Sequence, residues 1–506
     1  MTNTFKTGSS SNQQAKHINL YLLLIIGISL LFHLLCMASA DLLVEEAYYW
    51  NYAQHLDFSY LDHPPMVALL IKLSTSILGT NEFSVRITSL LCWMLTAFFS
   101  FKLAQLIHRG AGLYTVMLLA VLPFFFLQSL VITPDVPLIV CWSASLYYLY
   151  RALILNQPNS WYIAGIWLGL GMLSKYTISL LGIATFFYVV TVPTSRQWLR
   201  RKESYACALI AALIFTPVIY WNATHHWISF LFQSQRRFAS TSSIDLHYLV
   251  ALILLFITPF GAIGLLELLK KNTLNVAQVT VNSKRFMQIF TLAPLGFFAF
   301  FSLNHEINLN WIGPLFLALI PWLAALSVDA PKKRTIWLRT AFTLLFCYSS
   351  ILLIATFNTS EQVQQKFFIK AVAWEPLIKQ FHDLADQIEE KTQKTPIFVP
   401  LDNFPIGSEL SFYQTKFLAQ GTILKAYPVV GSHIFGIESL MYRYWSKDKR
   451  LAGATLILIS KELWRFDLPE LQRQVTESSE LKSFWSTGQG QEVRNIPFYY
   501  KVVQMK

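Results

Sequence analysis

The sequence predicts an α-helical polytopic membrane protein of about 11–13 spans, with a small α/β domain at its C-terminal end. Three observations carry this. Of 506 residues, 54% are apolar and 13% charged, whereas soluble domains hold roughly half apolar and about a quarter charged residues. Apolar runs of the roughly 17–25 residues needed to cross a bilayer recur from residue 20 to residue 357. Beyond residue 357 charges become frequent and apolar segments short. Soluble-globular and disordered classes are excluded.

The candidate spans are 20–40, 84–106, 112–131, 136–155, 161–174, 177–193, 204–221, 247–268, 286–303, 311–328 and 335–357. The pair 161–174 and 177–193 requires a tight reversal at Leu173-Ser174-Lys175-Tyr176. The first span ends in Met37-Ala38-Ser39-Ala40, which looks like a signal-peptidase site. Its apolar run is longer than that of an ordinary signal and further spans follow, so an uncleaved anchor is expected.

Basic residues set the orientation. Lys6, Lys16, Lys102, Arg109 and Arg151 lie on one side, followed there by Arg196, Arg200, Arg201, Lys202, Lys270, Lys271, Lys284, Arg285, Lys332, Lys333, Arg334 and Arg339. The opposite loops hold Lys72, Arg86, Lys175, Arg236 and Arg237, and most of the carboxylates of the membrane half. Cytoplasmic loops are enriched in Lys and Arg, so the N-terminus is expected in the cytoplasm and everything after residue 357 outside. The formal charge of +12 is then topological, and no nucleic acid partner is expected. The expected organisation is a cytoplasmic tail over 1–19, a membrane domain over 20–357 with a large outer loop at 41–84, and an outer α/β domain over 358–506.

In that last part Leu377, Phe381, Leu384 and Ile388 fall at helical spacing, so 375–391 reads as an amphipathic helix. Pro396–Val399, Ala454–Ile459 and Pro497–Val503 read as strands. The cysteines Cys36, Cys92, Cys141, Cys207 and Cys347 all sit in apolar stretches without metal-ligand spacing, which gives packing residues and neither disulfides nor a zinc site. Gly165 and Gly169 form a small-xxx-small pattern that marks close helix packing.

The chemistry is expected in the outer loops. The first contains Asp41, the adjacent carboxylates Glu45 and Glu46, then Tyr48, Tyr49 and Trp50, and Tyr60-Leu61-Asp62-His63-Pro64-Pro65 further on. A wet acidic loop with interfacial aromatics would account for these residues, but the two prolines fix the backbone in a way that suits a preorganised site. Thr133-Pro134-Asp135 explains itself as a turn capping the next helix, and also puts a third carboxylate on the outer face. Lys175 either snorkels or works. Trp221-Asn222, His225, His226, Gln233, Arg236 and Arg237 open one further outer loop, and Asn304, His305, Glu306, Asn308, Asn310 and Trp311 form the next. Their histidines match no strong metal signature. There is no phosphate-cradling or dinucleotide glycine motif, so a reaction on the outer face with a donor arriving through the membrane is the economical inference.

These segments are familiar as a set. Glu45-Glu46-Ala47-Tyr48-Tyr49-Trp50, Tyr60-Leu61-Asp62-His63-Pro64-Pro65, Thr133-Pro134-Asp135, Leu173-Ser174-Lys175-Tyr176 and Trp221-Asn222 resemble bacterial membrane glycosyltransferases of the protein-mannosyltransferase type. The lipid A aminoarabinose and galactosamine transferases are relatives of that family. Ser408-Glu409-Leu410-Ser411-Phe412-Tyr413 looks like a recurrent segment of the family's outer domain. The resemblance implies a C-type glycosyltransferase fold, with 20–357 as the catalytic domain. It further implies a polyprenyl-phosphate sugar donor and transfer to lipid A, or else to protein or glycan, at the periplasmic face of the inner membrane. One departure is that Glu45-Glu46 stands where the family has Asp-Glu; the added methylene moves a carboxylate by about 1.5 Å, a displacement on the scale that costs two orders of magnitude in rate.

On this reading Lys175, Arg86 and His63 meet the phosphate electrostatically, and Glu45 or Asp135 serves as general base. Glu46 is grouped with these two as a catalytic carboxylate, and with Asp62 it holds the sugar or the cations in place. Tyr49, Tyr176, Trp221, Asn222 and Asn310 are candidates for substrate binding. Arg236 and Arg237 could receive anionic acceptor groups. No cofactor is required, a divalent metal is compatible with the pattern, and a monomer among membrane lipids is expected. The alternative is a transporter or flippase for lipid-linked sugars, against which stand the lack of an internal repeat and the placement of carboxylates beyond helix ends.

Overall fold

The computed structural model describes residues 6–238, 246–270, 276–305, 307–357, 373–446, 451–486 and 496–506. It divides into two compact units, one of Met1–Met37, Phe58–Val67 and Thr88–Ser350, the other of Ala38–Asp57, Ala68–Ile87 and Ile351–Lys506.

The first unit is helical, and a helix occupies every predicted span. The first, Lys6–Ser39, begins inside the stretch expected as a tail. Glu82–Ile107, Asp135–Leu153, Asn159–Met172, Ser179–Thr191, Lys202–Thr224, Val281–Phe301 and Pro331–Phe357 are continuous, and Leu246–Leu269 is interrupted at Thr258. The span predicted at 112–131 is split into Ala111–Val121 and Pro123–Gln128, and that at 311–328 is a 3₁₀ turn, Gly313–Ala318, leading into Ile320–Asp329. By length and composition alone five described helices can cross a membrane, or seven if two bent pairs are each one span. The rest are short, broken, or open on charges such as Lys284 and Lys332.

The split at Pro123 has a simple cause and a visible remedy. Proline lacks the N–H that would have reached Leu119 O, and in a lipid environment a freed carbonyl must find a donor within the protein. Trp93 Nε1 donates to Leu119 O at 3.3 Å, Ser29 Oγ to Ala120 O at 2.7 Å and Tyr348 Oη to Val121 O at 2.9 Å. His33 Nε2 lies 3.1 Å from Phe126 O, a carbonyl that can only accept. Leu246–Leu269 bends at Thr258, whose backbone leaves the helical region (φ 63°, ψ 165°) just before Pro259.

Gly165 and Gly169 do what their spacing announces. A Cβ on Gly165 would stand 2.6 Å from Cys207 O, and one on Gly169 2.7 Å from Ile214 Cβ, so Asn159–Met172 and Lys202–Thr224 touch almost backbone to backbone.

The second unit holds a five-stranded sheet: β1 (Ile397–Pro400), β2 (Thr455–Ser460), β3 (Val475–Ser478), β4 (Lys482–Ser486) and β5 (Ile496–Met505). The order is β1-β2-β5-β3, with β4 also on β5; β1 and β2 are parallel and the other pairs antiparallel. The three predicted strands are β1, β2 and β5; β3 and β4 were not anticipated, being short and largely polar. The predicted helix is Trp374–Thr392, with Phe381 against Phe398, Phe484 and Tyr500. Pro405–Ala419 lies between β1 and β2 in sequence. Helices that the sequence reading did not foresee are Val44–Gln54, Met66–Leu78 and, in the first unit, Ile228–Phe238.

Gly165→Ala should lower the thermal midpoint of the purified protein, because the added methyl meets backbone rather than a flexible side chain. The expected cost is about 1–3 kcal/mol, read against Gly182→Ala, whose Cβ would meet nothing within 4 Å.

Candidate active site

In the first unit the turns at the ends of several helices bring together part of the predicted set. Asp135 is the first residue of its helix, delivered by the Thr133-Pro134 turn. Lys175 sits in extended backbone (φ −159°, ψ 135°) at the reversal after Asn159–Met172, just before the 3₁₀ turn Tyr176–Ile178. Its ammonium donates to both Asp135 oxygens at 2.8 and 2.9 Å, and Asn310 Nδ2, from the turn Leu309–Trp311, donates to Asp135 Oδ2 at 2.7 Å. Lys175 is 5% exposed and Asp135 1%. A buried ammonium is tolerated only with a well-placed counter-ion, and Asp135 accepts three hydrogen bonds in providing it. Asp135 therefore positions the cation, with three of its roughly four acceptor positions taken.

A second group gathers around the outer helix Ile228–Phe238. Ser229 Oγ is 3.2 Å from Tyr176 Oη, Phe230 N donates to Asn222 Oδ1 at 3.4 Å, and Gln233 Nε2 donates to Asp62 O. Asn222 is buried and donates to Val218 O, and its own carbonyl receives Trp227 N. Trp221 is buried and stacks on His225 with centroids 4.1 Å apart. The Asp62-His63 turn is closed by Tyr60 N on His63 O at 3.1 Å, and Met66 N reaches Leu173 O at 3.0 Å, tying this turn to the reversal that carries Lys175. Pattern reading missed Ser229, because a lone serine in a polar helix carries no signal. Arg236 and Arg237 lie on the same helix, with side chains outside the described residues, as is Glu306.

Beside the reversal lies an apolar cavity of about 590 Å³. Met172, Ile178 and Ser179 flank the Lys175 segment and line it, and its walls continue through Val189, Cys207 and Phe215.

In the second unit the adjacent glutamates part company. Glu46 is fully buried; Arg86 Nε lies 3.0 and 3.1 Å from its two oxygens and Nη2 2.6 Å from Oε2. The guanidinium also donates to Ala40 O and Asp41 O, both at 2.7 Å, and Glu46 accepts Leu43 N at 3.0 Å, the reach-back bond of a helix N-terminus. Both residues are thereby occupied in fastening the loop helix Val44–Gln54. Glu45, one residue earlier, is exposed. Tyr49 is buried between Tyr48 and Tyr52.

Two groups of described residues have metal-like reach, His382 with Asp383 and Asp386, and Asp41 with Glu82 and Glu375. The second already holds a cation: Lys416 Nζ is 2.8 Å from Glu82 and 2.9 Å from Glu375. His225, His226 and His305 fall in neither group.

Fold and site together describe a polytopic helical membrane protein with a buried, counter-ion-held lysine beside an apolar cavity. Residues 62–221 match the family described as dolichyl-phosphate-mannose-protein mannosyltransferase. The lipid A galacturonosyltransferase RgtD of Rhizobium johnstonii is 26% identical over 189 residues, 37% of this chain and 40% of that relative's length. Among solved structures, ArnT from Cupriavidus metallidurans in the apo state superimposes with a TM-score of 0.61 at 12% identity, covering 95% of this chain and 97% of that one. ArnT bound to undecaprenyl phosphate gives 0.62 at 14%, covering 95% and 98%. The chain is thus similar to membrane glycosyltransferases of the protein-mannosyltransferase type, and it has the C-type glycosyltransferase fold that the resemblance implied.

Removing one partner of the buried Glu46–Arg86 pair should destabilise the protein by about 3–5 kcal/mol. Glu46→Ala is expected to lower the thermal midpoint sharply, whereas Glu45→Ala, on an exposed side chain, should leave it within error.

Proposed function

We propose that this protein is a glycosyltransferase that moves a sugar from a polyprenyl-phosphate donor to an acceptor of the bacterial envelope, lipid A in the first place. The reaction is assigned to the periplasmic face of the inner membrane, with the N-terminus in the cytoplasm and residues after 357 outside. The observation that carries the reading is Lys175, a buried ammonium held by Asp135 and Asn310 next to an apolar cavity. A lipid phosphate asks for a fixed cation for its head and an apolar slot for its chain, and both lie in the segment that matches the family. The lipid A relative and the undecaprenyl-phosphate-bound neighbour support the donor and acceptor classes.

In the transfer step the acceptor oxygen bonds to the anomeric carbon as the bond from that carbon to the phosphate oxygen breaks. The electron pair leaves on the phosphate, and Lys175 stabilises the charge that develops there. A hydroxyl acceptor gives up a proton; for the general-base role the sequence offers Glu45. A phosphate of lipid A is already anionic and needs no base. The Asp62–His63 turn and Asn222 are assigned to the sugar. The step balances without a cofactor.

Lys175→Met should lower transfer by about 100-fold or more. Asp135→Asn, which leaves the ammonium in place but loosens it, should lower it by roughly 10- to 100-fold. The test is mass spectrometry of lipid A from cells with the protein, without it, and with Lys175→Met, beside turnover in detergent. Loss of one sugar mass in the last two samples is expected. Full turnover by Lys175→Met would overturn the assignment of the site, and an absence of covalent change in any envelope glycan would favour a transporter.

A further inference from the structure

Glu409 lies in the segment Ser408-Glu409-Leu410-Ser411-Phe412-Tyr413 of helix Pro405–Ala419, and the transfer step makes no use of it. It is 0% exposed, and neither of its carboxylate oxygens has a hydrogen-bond partner. Few arrangements cost more than an ionised carboxylate buried without donors. The neighbouring acids make matters worse: Asp41, then Glu46 and Glu45, disfavour its charge, and Arg86 alone of these four opposes them. Among the described residues Tyr413, on its own helix, Tyr442, and Lys461 after β2 also interact with it. Arg86 is already engaged by Glu46, and Lys461 lies over the rings of Trp374 and Phe498.

Two means of neutralising such a group exist, a metal ion or a proton. A metal needs several ligand atoms together, and among the described residues Glu409 joins no such group. Burial drives its carboxyl well above the usual carboxylate range, and the neighbouring acids push the same way.

The helix that carries Glu409 is also the seat of the loop helix Val44–Gln54. Asn51 Nδ2 donates to Ser408 O at 3.3 Å, Trp50 meets Phe412 edge to face at 5.3 Å, and Leu42 N donates to Tyr413 Oη at 3.4 Å. A negative charge on Glu409 would add to Asp41, Glu45 and Glu46 around a single committed guanidinium, and the loop helix bears two of those acids. We propose that Glu409 is a neutral carboxylic acid at neutral pH, and that its proton keeps the acidic loop helix seated, which makes Glu409 a positioning residue for Glu45.

The direction of the pH effect follows from linkage. Glu409 binds its proton more tightly folded than unfolded, so its contribution to stability falls as pH rises from the ordinary carboxylate range toward the raised folded value. Glu409→Gln keeps the shape and makes neutrality permanent; Glu409→Leu does so if glutamine fails to fold. The wild type should show the C=O stretch of a protonated carboxylic acid in its pH-difference infrared spectrum, and the variant should lose it. Between about pH 6 and about pH 9 the thermal midpoint of the wild type in nanodiscs should fall further than that of the variant. The alkaline loss of transfer activity should be shallower in Glu409→Gln, which is the one readout that rests on the glycosyltransferase reading. An ionised Glu409 at neutral pH, or parallel thermal curves, would overturn the proposal whatever the reaction. Coincident pH profiles of transfer, with the infrared band assigned, would overturn the positioning role.

Discussion

An ammonium buried at one end of a membrane helix bundle cannot stay there unpaired, and this constraint shapes the first unit. Lys175 requires Asp135, and Asp135 needs Asn310 to complete its hydrogen bonds. These residues come from three separate turns, so three connections must be held in fixed register for one ion pair to exist. The backbone bond from Met66 to Leu173 and the side chains of Ser229 and Gln233 hold the neighbouring turns. The charge pair is thus the reason for much of the local rigidity, as well as the feature that suits a phosphate.

The second unit solves a related problem with a different outcome. Arg86 and Glu46 neutralise each other and spend their remaining capacity on backbone groups. A pair closed in this way is a fastening. The Lys175–Asp135 pair spends its capacity on side chains instead, in a segment whose neighbours Met172, Ile178 and Ser179 line an apolar cavity. Two ion pairs of similar length differ in use because their surroundings differ, and exposure of the adjacent Glu45 makes the same point one residue away.

The membrane spans were legible because hydropathy over a window needs no knowledge of contacts, and Gly165 and Gly169 because close packing has its own spacing. Asp135 and Lys175 were visible as charges out of place, but that they pair with one another, forty residues apart, is a tertiary fact. The division of labour between Glu45 and Glu46 was hidden for the same reason, since two adjacent identical residues on a helix point to different surroundings. Val44–Gln54 escaped notice because its aromatic and polar residues show no helical period, whereas Met66–Leu78 and Ile228–Phe238 are amphipathic but too short to stand out as spans. Strands β3 and β4 escaped because their pairing with β5, more than their composition, makes them strands.

The break at Pro123 also has a history in time. Its freed carbonyls are met by Ser29 from the first helix, by Trp93 from a middle one, and by Tyr348 from the last helix of the first unit. Spans enter the membrane in order of synthesis, so Val121 O waits for Tyr348 while more than two hundred further residues are made. Closing the break therefore joins the beginning of the membrane domain to its end. The bundle has a keystone that arrives last.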